Sequence, residues 1–177
     1  GPVREAIRIL EREGLVAVLP RRGAVVSSLS AQELRELFEI RAGLVEIALR
    51  KVMAAGLPPE LLAVTRAGVA RLEVLADAPD CGDAYAETTY RLIQIGAHFA
   101  GNERLRRMIA TLSLQSLRYS KLGLATVARR QRSVRLWRQA LKALERGDVE
   151  QTLRLARQRS EESAEEAARR LEPADND

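Results

Sequence analysis

The sequence is poor in the side chains from which metal sites and nucleophilic active sites are built. Its 177 residues include one cysteine, Cys81, and one histidine, His98. A lone cysteine excludes an internal disulfide framework and is typical of the reducing cytosol, which predicts a cytoplasmic protein. A lone histidine excludes any site for which this chain must supply two or three imidazoles. Catalysis is not expected, because Cys81 lies in a Pro-Asp-Cys-Gly loop far from His98 and no other nucleophile and base are paired.

Long apolar runs and a secretory leader are also missing. No run approaches the roughly 20 apolar residues of a membrane helix, so no membrane partner is expected. Hydrophobic residues make up 46% of the chain and charged residues 30%, which is a globular balance. The net charge of +5 is compatible with a polyanionic partner without requiring one.

The chain divides into a short irregular opening and a long helical remainder. Residues 3–13 place apolar side chains on one helical face, and Gly14 follows where a helix C-cap is expected. Two β-branched runs around Arg21-Arg22-Gly23 predict a hairpin. The remainder predicts six helices, at about 30–55, 59–76, 83–99, 103–121, 126–146 and 148–171.

Short connections between these helices predict an all-α fold, an antiparallel six-helix bundle that follows a helix and a β-hairpin. We expect one unit at residues 1–29, a helical domain at 30–172 and a disordered tail at 173–177.

Two segments carry a specific family resemblance. GPVREAIRILEREGLVAVLPRRGAVV resembles the end of the winged helix-turn-helix domain of GntR-family transcription regulators. LSAQELRELFEIRAGLVEIALR is similar to the first helix of the FadR-type effector domain, called FCD. Gly101-Asn102 and the segment Leu144-Glu145-Arg146-Gly147-Asp148 agree with the same domain.

The resemblance implies a DNA-reading role for the opening. Arg4 lies in the first turn of the implied recognition helix, where an arginine can bind a guanine edge, and Arg8 lies one turn later. Arg21, Arg22 and Gly23 form the implied wing tip beside the phosphates. The alternative is that these are ordinary solvated arginines. The first two helices of the DNA-binding domain are absent from this sequence, so specific DNA binding is expected of the full-length protein.

The resemblance also implies a metal held by one aspartate and three histidines, but the residues at those positions differ. When the sequence is aligned with the family at the turns Gly101-Asn102 and Gly147-Asp148, the four ligand positions fall on Thr89, Ile93, Trp137 and Arg159. None of these forms a carboxylate–imidazole cage. His98 lies about 140° around the helix from Ile93 and cannot replace them. We therefore expect no metal and no cofactor.

Helical periodicity suggests what replaces the metal. Arg41 falls in the apolar stripe of the first bundle helix, and Arg159 falls on the inner stripe of the last. A buried guanidinium needs a partner, and two inward arginines could pair with the carboxylate, phosphate or CoA-like group of a ligand. The expected ligand is a small organic acid or acyl-type anion. The alternatives are a buried glutamate, a helix-end carbonyl or an outward-pointing side chain. Trp137 is expected either as a core residue or as a pocket wall.

The full set of expected effector-binding residues is Arg41, Thr89, Ile93, Gln115, Trp137 and Arg159, with Gln115 and Thr89 as the weaker candidates. Five arginines follow on the fifth bundle helix: Arg129, Arg130, Arg132, Arg135 and Arg138. We expect them to form a solvated face. Contacts to the DNA backbone or a salt bridge between domains are the alternatives.

The leading hypothesis is therefore a homodimeric regulator, acting as a repressor, in which a small-molecule effector alters binding to a double-stranded DNA operator. The alternative is a helical dimerisation or interaction module whose core is filled and which has no effector.

Overall fold

The computed structural model describes residues 1–21 and 23–172. The wing residue Arg22 and the predicted tail at 173–177 lie outside the described residues. The opening contains α1 (Pro2–Arg12), β1 (Val16–Leu19) and β2 (Gly23–Val26). The bundle consists of α2 (Ala31–Ala54), α3 (Pro59–Asp77), α4 (Gly82–Phe99), α5 (Glu103–Gly123), α6 (Val127–Glu145) and α7 (Val149–Leu171). The predicted all-α fold with a helix and hairpin before the bundle is confirmed.

The opening follows the predicted helix and hairpin pattern. Gly14, with φ +70°, ends α1 in the left-handed conformation that glycine adopts without a steric penalty. The two strands pair antiparallel, with Val16 opposite Val26 and Leu19 opposite Gly23. Because Gly23 also has a positive φ, of 75°, the tight turn of the hairpin depends on it.

Four of the six bundle helices, α2, α5, α6 and α7, begin where a short polar side chain caps them. Ser30 accepts a hydrogen bond from the Glu33 amide, and the Glu33 carboxylate accepts one from the Ser30 amide, which together form a capping box. The side chains of Asn102, Thr126 and Asp148 accept hydrogen bonds at the starts of α5, α6 and α7.

Long antiparallel contacts organise the bundle around α7. α2 packs along α7, and α5 and α6 also contact α7, while α3 and α4 close the other side. The core includes Leu34 and Phe38 near the opening segment and Tyr85, Leu72 and Ile109 deeper in the bundle. No helix within the described residues is both long and apolar enough to cross a membrane.

Arg130 corrects the prediction that the arginines of α6 all lie on a solvated face. Its side chain is fully buried. The guanidinium donates to four backbone carbonyls, those of Leu75 (3.1 Å), Ala78 (2.5 Å), Leu124 (3.2 Å) and Ala125 (2.7 Å). These carbonyls lie at the end of α3 and at the α5–α6 connection, so Arg130 joins two chain segments.

The neighbouring arginines behave differently. Arg132, Arg135 and Arg138 are exposed, as predicted. Arg129 is half-buried, and both Arg129 and Arg132 form ion pairs with Glu162 of α7, at 3.3 and 2.7 Å. Hydrogen bonding to these arginines, chiefly Arg132, lowers the pKa of Glu162 to about 2.

Candidate functional site

Arg41 of α2 points into the bundle, as its place in the apolar stripe predicts. Only 7% of the residue is exposed. Its guanidinium donates to the hydroxyl of Ser116 at 2.5 Å and to that of Ser160 at 3.4 Å, and lies 4.2 Å from the ring centre of Phe38. These partners are neutral, so the charge of Arg41 is solvated by hydroxyls and an aromatic face alone.

Arg159 of α7 is half-buried, and its guanidinium lies 3.4 Å from the ring centre of Trp137 of α6. This is a close cation–π contact. Within the described part of the chain, the Arg159 side chain forms no hydrogen bond and no ion pair. A planar fork with five N–H donors therefore faces the interior without an acceptor.

Burial disfavours the charge on both arginines. It lowers the pKa of Arg41 to about 10. Burial also lowers the pKa of Arg159 to about 9, with a further lowering from the charge of Arg41 and an opposing effect of Tyr85. Both side chains therefore remain positively charged at neutral pH.

The carboxylate nearest to this region does not neutralise either charge. Glu46 lines the cavity that contains Arg41 and Arg159. Its carboxylate is paired instead with Arg157, and more distantly with Arg50 at 4.0 Å. Among the described residues, neither Arg41 nor Arg159 forms an ion pair. Two cations of this cavity, Arg41 and Arg159, are therefore without an anionic partner among the described residues.

A polar cavity of about 50 Å³ contains the two arginines. This volume holds a few water-sized groups, since one requires about 10–15 Å³. Hydroxyl groups supply much of the wall, from Ser113, Ser120, Ser133, Ser160 and Ser163. The buried hydroxyls of Ser113 and Ser163 have no hydrogen-bond partner among the described residues. Such groups are costly to bury and indicate a site that a polar ligand completes.

Tyr85 adds a third buried hydroxyl near this region. Its side chain is fully buried, and burial raises the pKa of the phenol to about 12. The Ser133 hydroxyl is close enough to oppose this shift, but the two hydroxyls do not meet at hydrogen-bonding geometry. The Tyr85 phenol is therefore protonated and available as a donor.

A second, apolar cavity of about 80 Å³ lies beside the first. Trp137 and the aliphatic side chains of α2, α3, α4 and α6 form most of its wall. The two cavities share four wall residues: Val45, Ile93, Ala156 and Arg159. The pair of Arg159 and Trp137 therefore lies at the boundary between a cationic compartment and a hydrophobic one.

Five of the six expected effector-site residues meet at these cavities. Arg41, Thr89, Ile93 and Arg159 line the polar cavity, and Trp137 lines the apolar one. The hydroxyl of Thr89 already donates to the Ala86 carbonyl at 2.7 Å, so it can only accept a further hydrogen bond. Gln115 lies elsewhere, in the groove next to the opening segment.

The four positions at which the resemblance implies metal ligands do not fit a metal. Thr89, Ile93, Trp137 and Arg159 surround the same cavities, so the positions themselves are brought together. Their donor set has no carboxylate and no imidazole, and Arg159 carries a positive charge. The described residues contain no cluster of three or more His, Cys, Asp or Glu side chains with metal-binding geometry. His98 is exposed on α4, as predicted.

Helix α5 joins the cavity to the opening segment. The Gln115 amide donates to the Glu13 carbonyl at 2.6 Å, and the Thr111 hydroxyl donates to the Glu13 carboxylate at 3.0 Å. Farther along α5, the Tyr119 hydroxyl accepts from the Leu29 amide at 2.8 Å. The contact at Gly14 is tight, because a Cβ there would lie 2.7 Å from the Gln115 amide nitrogen.

The serine lining is the feature that sequence reasoning missed. Ser113, Ser116 and Ser120 recur at intervals of three and four residues and are all buried on one face of α5. That spacing is visible in the sequence and could have been recognised as a polar inner stripe. The buried position of Arg130 has no comparable signal.

The predicted DNA-contacting side chains are accessible where the structure describes them. Arg4 and Arg8 are exposed on α1, and Arg21 and Gly23 are exposed at the hairpin turn. Arg22 lies outside the described residues.

A comparison with family models identifies the bundle. The model described as the FCD domain matches residues 36–160. This chain belongs to the FCD-domain family. The match covers every residue that lines the polar cavity except Ser163, so the candidate site belongs to the FCD domain.

Relatives and solved structures agree with this assignment. A 53-residue segment is 38% identical to YdhC of Bacillus subtilis (strain 168), an uncharacterized HTH-type transcriptional regulator; the match covers 30% of this chain and 24% of that protein. The chain therefore spans about a quarter of that relative's length.

The FCD-domain fold recurs in solved structures. E. coli McbR/YncC matches with a TM-score of 0.81 and 18% identity, over 94% of this chain and 83% of that one. Lar, which controls expression of the Listeria monocytogenes agr system, matches with a TM-score of 0.75 and 23% identity, over 97% and 80%. The predicted GntR-family regulator with an FCD domain is confirmed at the level of family and fold; the FadR subdivision stays a prediction. The FCD-domain match, the regulator YdhC and the expression-controlling protein Lar agree with the prediction that the chain is not an enzyme.

Proposed function

We propose that this chain is the sensing part of a DNA-binding transcription regulator, a repressor, whose FCD domain binds a small organic acid or acyl-type anion without a metal. One observation carries the proposal: Arg41 and Arg159 share an internal cavity, and no described carboxylate neutralises either. An uncompensated buried charge is costly, and an anionic ligand supplies the missing partner.

The opening segment supplies the proposed DNA contact. The exposed guanidinium groups of Arg4 and Arg8 lie one turn apart on α1, where they can reach a base edge and a phosphate. Arg21, Arg22 and Gly23 form the proposed wing contact with the backbone. The proposed partner is a double-stranded operator bound by the full-length protein.

Helix α5 is the proposed route by which ligand binding alters DNA binding. Its serines face the cavity, while Gln115 and Tyr119 hold the end of α1 and the residue that follows the hairpin. An anion that draws Arg41 away from Ser116 changes the contacts on one side of this helix. A shift of α5 then changes the position of α1, provided that the ligand favours the shifted state.

A homodimer is the proposed assembly, since paired half-sites require two DNA-reading units. The exposed side chains of Ile40 and Ile47 lie two turns apart on α2, and Leu114 of the adjacent α5 is also exposed. This apolar surface supports contact with a second copy. Analytical ultracentrifugation tests it: I40E combined with I47E is expected to convert the dimer to a monomer.

The regulator proposal is tested with full-length protein and DNA. Selection from a random duplex pool identifies a bound sequence, and titration with carboxylates at moderate salt measures the change in affinity. Sequence-selective binding that weakens when a carboxylate is added supports a ligand-responsive repressor. Binding without sequence preference contradicts the regulator proposal. Sequence-selective DNA binding that no anion changes favours the alternative of an interaction module with a filled core. The two internal cavities argue against such a filled core.

A further inference from the structure

We infer that the effector is an amphiphile with a compact, doubly charged phosphate- or phosphonate-type head between Arg41 and Arg159 and a short apolar chain in the Trp137 cavity. The inference rests on the proposed function, because it assumes that an anion occupies this site, and it specifies the chemistry of that anion.

The charge of the head follows from the number of unpaired cations. Arg41 and Arg159 share one cavity and both lack an anionic partner among the described residues, and burial lowers the pKa of each. A monoanion neutralises one of them and leaves the other uncompensated. A dianion neutralises both, which removes the remaining desolvation cost.

The size of the polar cavity decides how those two charges are arranged. A cavity of about 50 Å³ holds a few water-sized groups, which favours two charges on one compact head over two carboxylates separated by a carbon chain. A phosphate or phosphonate carries close to two charges on three oxygens. Those oxygens accept from the arginines and from the unpartnered hydroxyls of Ser113 and Ser163. The head is therefore tetrahedral.

The apolar cavity indicates the length of the ligand's apolar substituent. Its volume of about 80 Å³ corresponds to about five or six heavy atoms if each takes the space of one water-sized group. Val45, Ile93, Ala156 and Arg159 belong to both cavities, so a ligand held by Arg159 has its substituent at the entrance to the apolar one. A head that binds Arg159 also draws its guanidinium from the ring of Trp137.

The first measurement uses Trp137 as its reporter, because it is the only tryptophan of the chain. Tryptophan fluorescence and calorimetry follow the binding of n-hexyl phosphate, hexanoate and inorganic phosphate. Hexyl phosphate is expected to bind at least about tenfold more tightly than either of the others, since each lacks one of the two contacts. Its affinity is expected to fall below about pH 6, where the phosphate dianion takes up one proton and becomes a monoanion.

Matched variants separate the head contact from the chain contact. Arg41→Gln and Arg159→Gln are each expected to weaken hexyl phosphate by about 10- to 100-fold. Arg135→Gln, at an exposed position of α6, is the control and is expected to leave binding unchanged. Gly96→Val fills the apolar cavity at a position where a Cβ has nothing within 4 Å. It is expected to weaken hexyl phosphate while inorganic phosphate is unaffected.

The outcomes distinguish this inference from the proposed function. If hexanoate and hexyl phosphate bind equally well and Arg159→Gln weakens both, the doubly charged head is overturned and anion sensing stands. Inorganic phosphate binding as tightly as hexyl phosphate overturns the apolar chain. If folded protein, shown to unfold cooperatively, binds none of the three probes, the inference is overturned. The proposed function is overturned only if, in addition, carboxylates do not change the DNA affinity of the full-length protein.

Discussion

Gln115 and Ser116 are consecutive residues of α5, yet their side chains form hydrogen bonds with different parts of the molecule. The Gln115 amide donates to the Glu13 carbonyl at the end of α1, while the Ser116 hydroxyl accepts from Arg41 inside the bundle. One peptide unit therefore separates the contact with the opening segment from the contact with the charged cavity. Any rotation of α5 that changes one contact also changes the other.

Replacing Gln115 by alanine is expected to loosen the end of α1 without unfolding the bundle. The change removes one hydrogen bond that stabilises the docked segment by about 1 kcal/mol. Hydrogen exchange of the amides at 13–15 should become severalfold faster, while the amides of α7 keep their protection. Gln139→Ala, an exposed glutamine of α6, is the control. Equal exchange in Gln115→Ala and the parent protein contradicts a role for this contact.

Replacing Arg130 by methionine is expected to destabilise the protein strongly. The four carbonyls of Leu75, Ala78, Leu124 and Ala125 lose their shared donor. Removal of one partner from a buried charged network costs about 3–5 kcal/mol. Urea unfolding measures the loss. Arg135→Met, at an exposed position of the same helix, should change the free energy of unfolding by less than about 0.5 kcal/mol. Similar effects of the two variants would show that Arg130 is not a structural link.

Replacing Gly123 by alanine tests the close approach of α5 and α7. A Cβ at this position would lie 2.5 Å from the Ser163 carbonyl oxygen, which is backbone and cannot move aside alone. The strain is expected to cost about 1–3 kcal/mol in thermal or urea unfolding. Gly96→Ala is the matched control, since its Cβ meets nothing within 4 Å and the change should stabilise α4 by about 0.5–1 kcal/mol.

The helices were predictable from sequence because local chemistry marks both of their ends. Ser30 and Asp148 cap the helices that they begin, and Gly101 and Gly147 adopt positive φ where helices end. Arg41 was also predictable, because a single charge within an apolar stripe must either enter the core or distort the helix.

The partners of these side chains were not predictable, because they come from distant parts of the chain. Arg130 bonds to carbonyls near Leu75 and Ala78, and carbonyls leave no mark in a sequence. Gln115 interrupts an apolar stripe as a cavity residue would, and only the docking of α1 shows that its partner is Glu13. Helical periodicity therefore identifies which side chains are buried, whereas their bonding partners depend on tertiary contacts that periodicity does not reveal.

Replacing Arg159 by methionine is expected to have the opposite effect to the same change at Arg130. Arg159 has no acceptor among the described residues, so an apolar side chain of similar length removes an uncompensated charge. The gain, after loss of the contact with Trp137, is expected to be about 1 kcal/mol in ligand-free protein. The variant should also lose anion binding, which is the pattern of a residue retained for function at the expense of stability.

The pH dependence of this gain gives a further check of its cause. In the folded protein the pKa of Arg159 is lowered to about 9 from 12.5, so above pH 9 the folded state loses this proton before the unfolded state does. The unfolded state then binds more protons, and the stability of the parent protein rises with pH. The advantage of R159M should therefore be full below pH 9 and shrink above it in urea titrations at pH 7, 9 and 10. An advantage that grows with pH, or a variant less stable than the parent at pH 7, would mean that Arg159 is compensated by the protein and is not waiting for an anion.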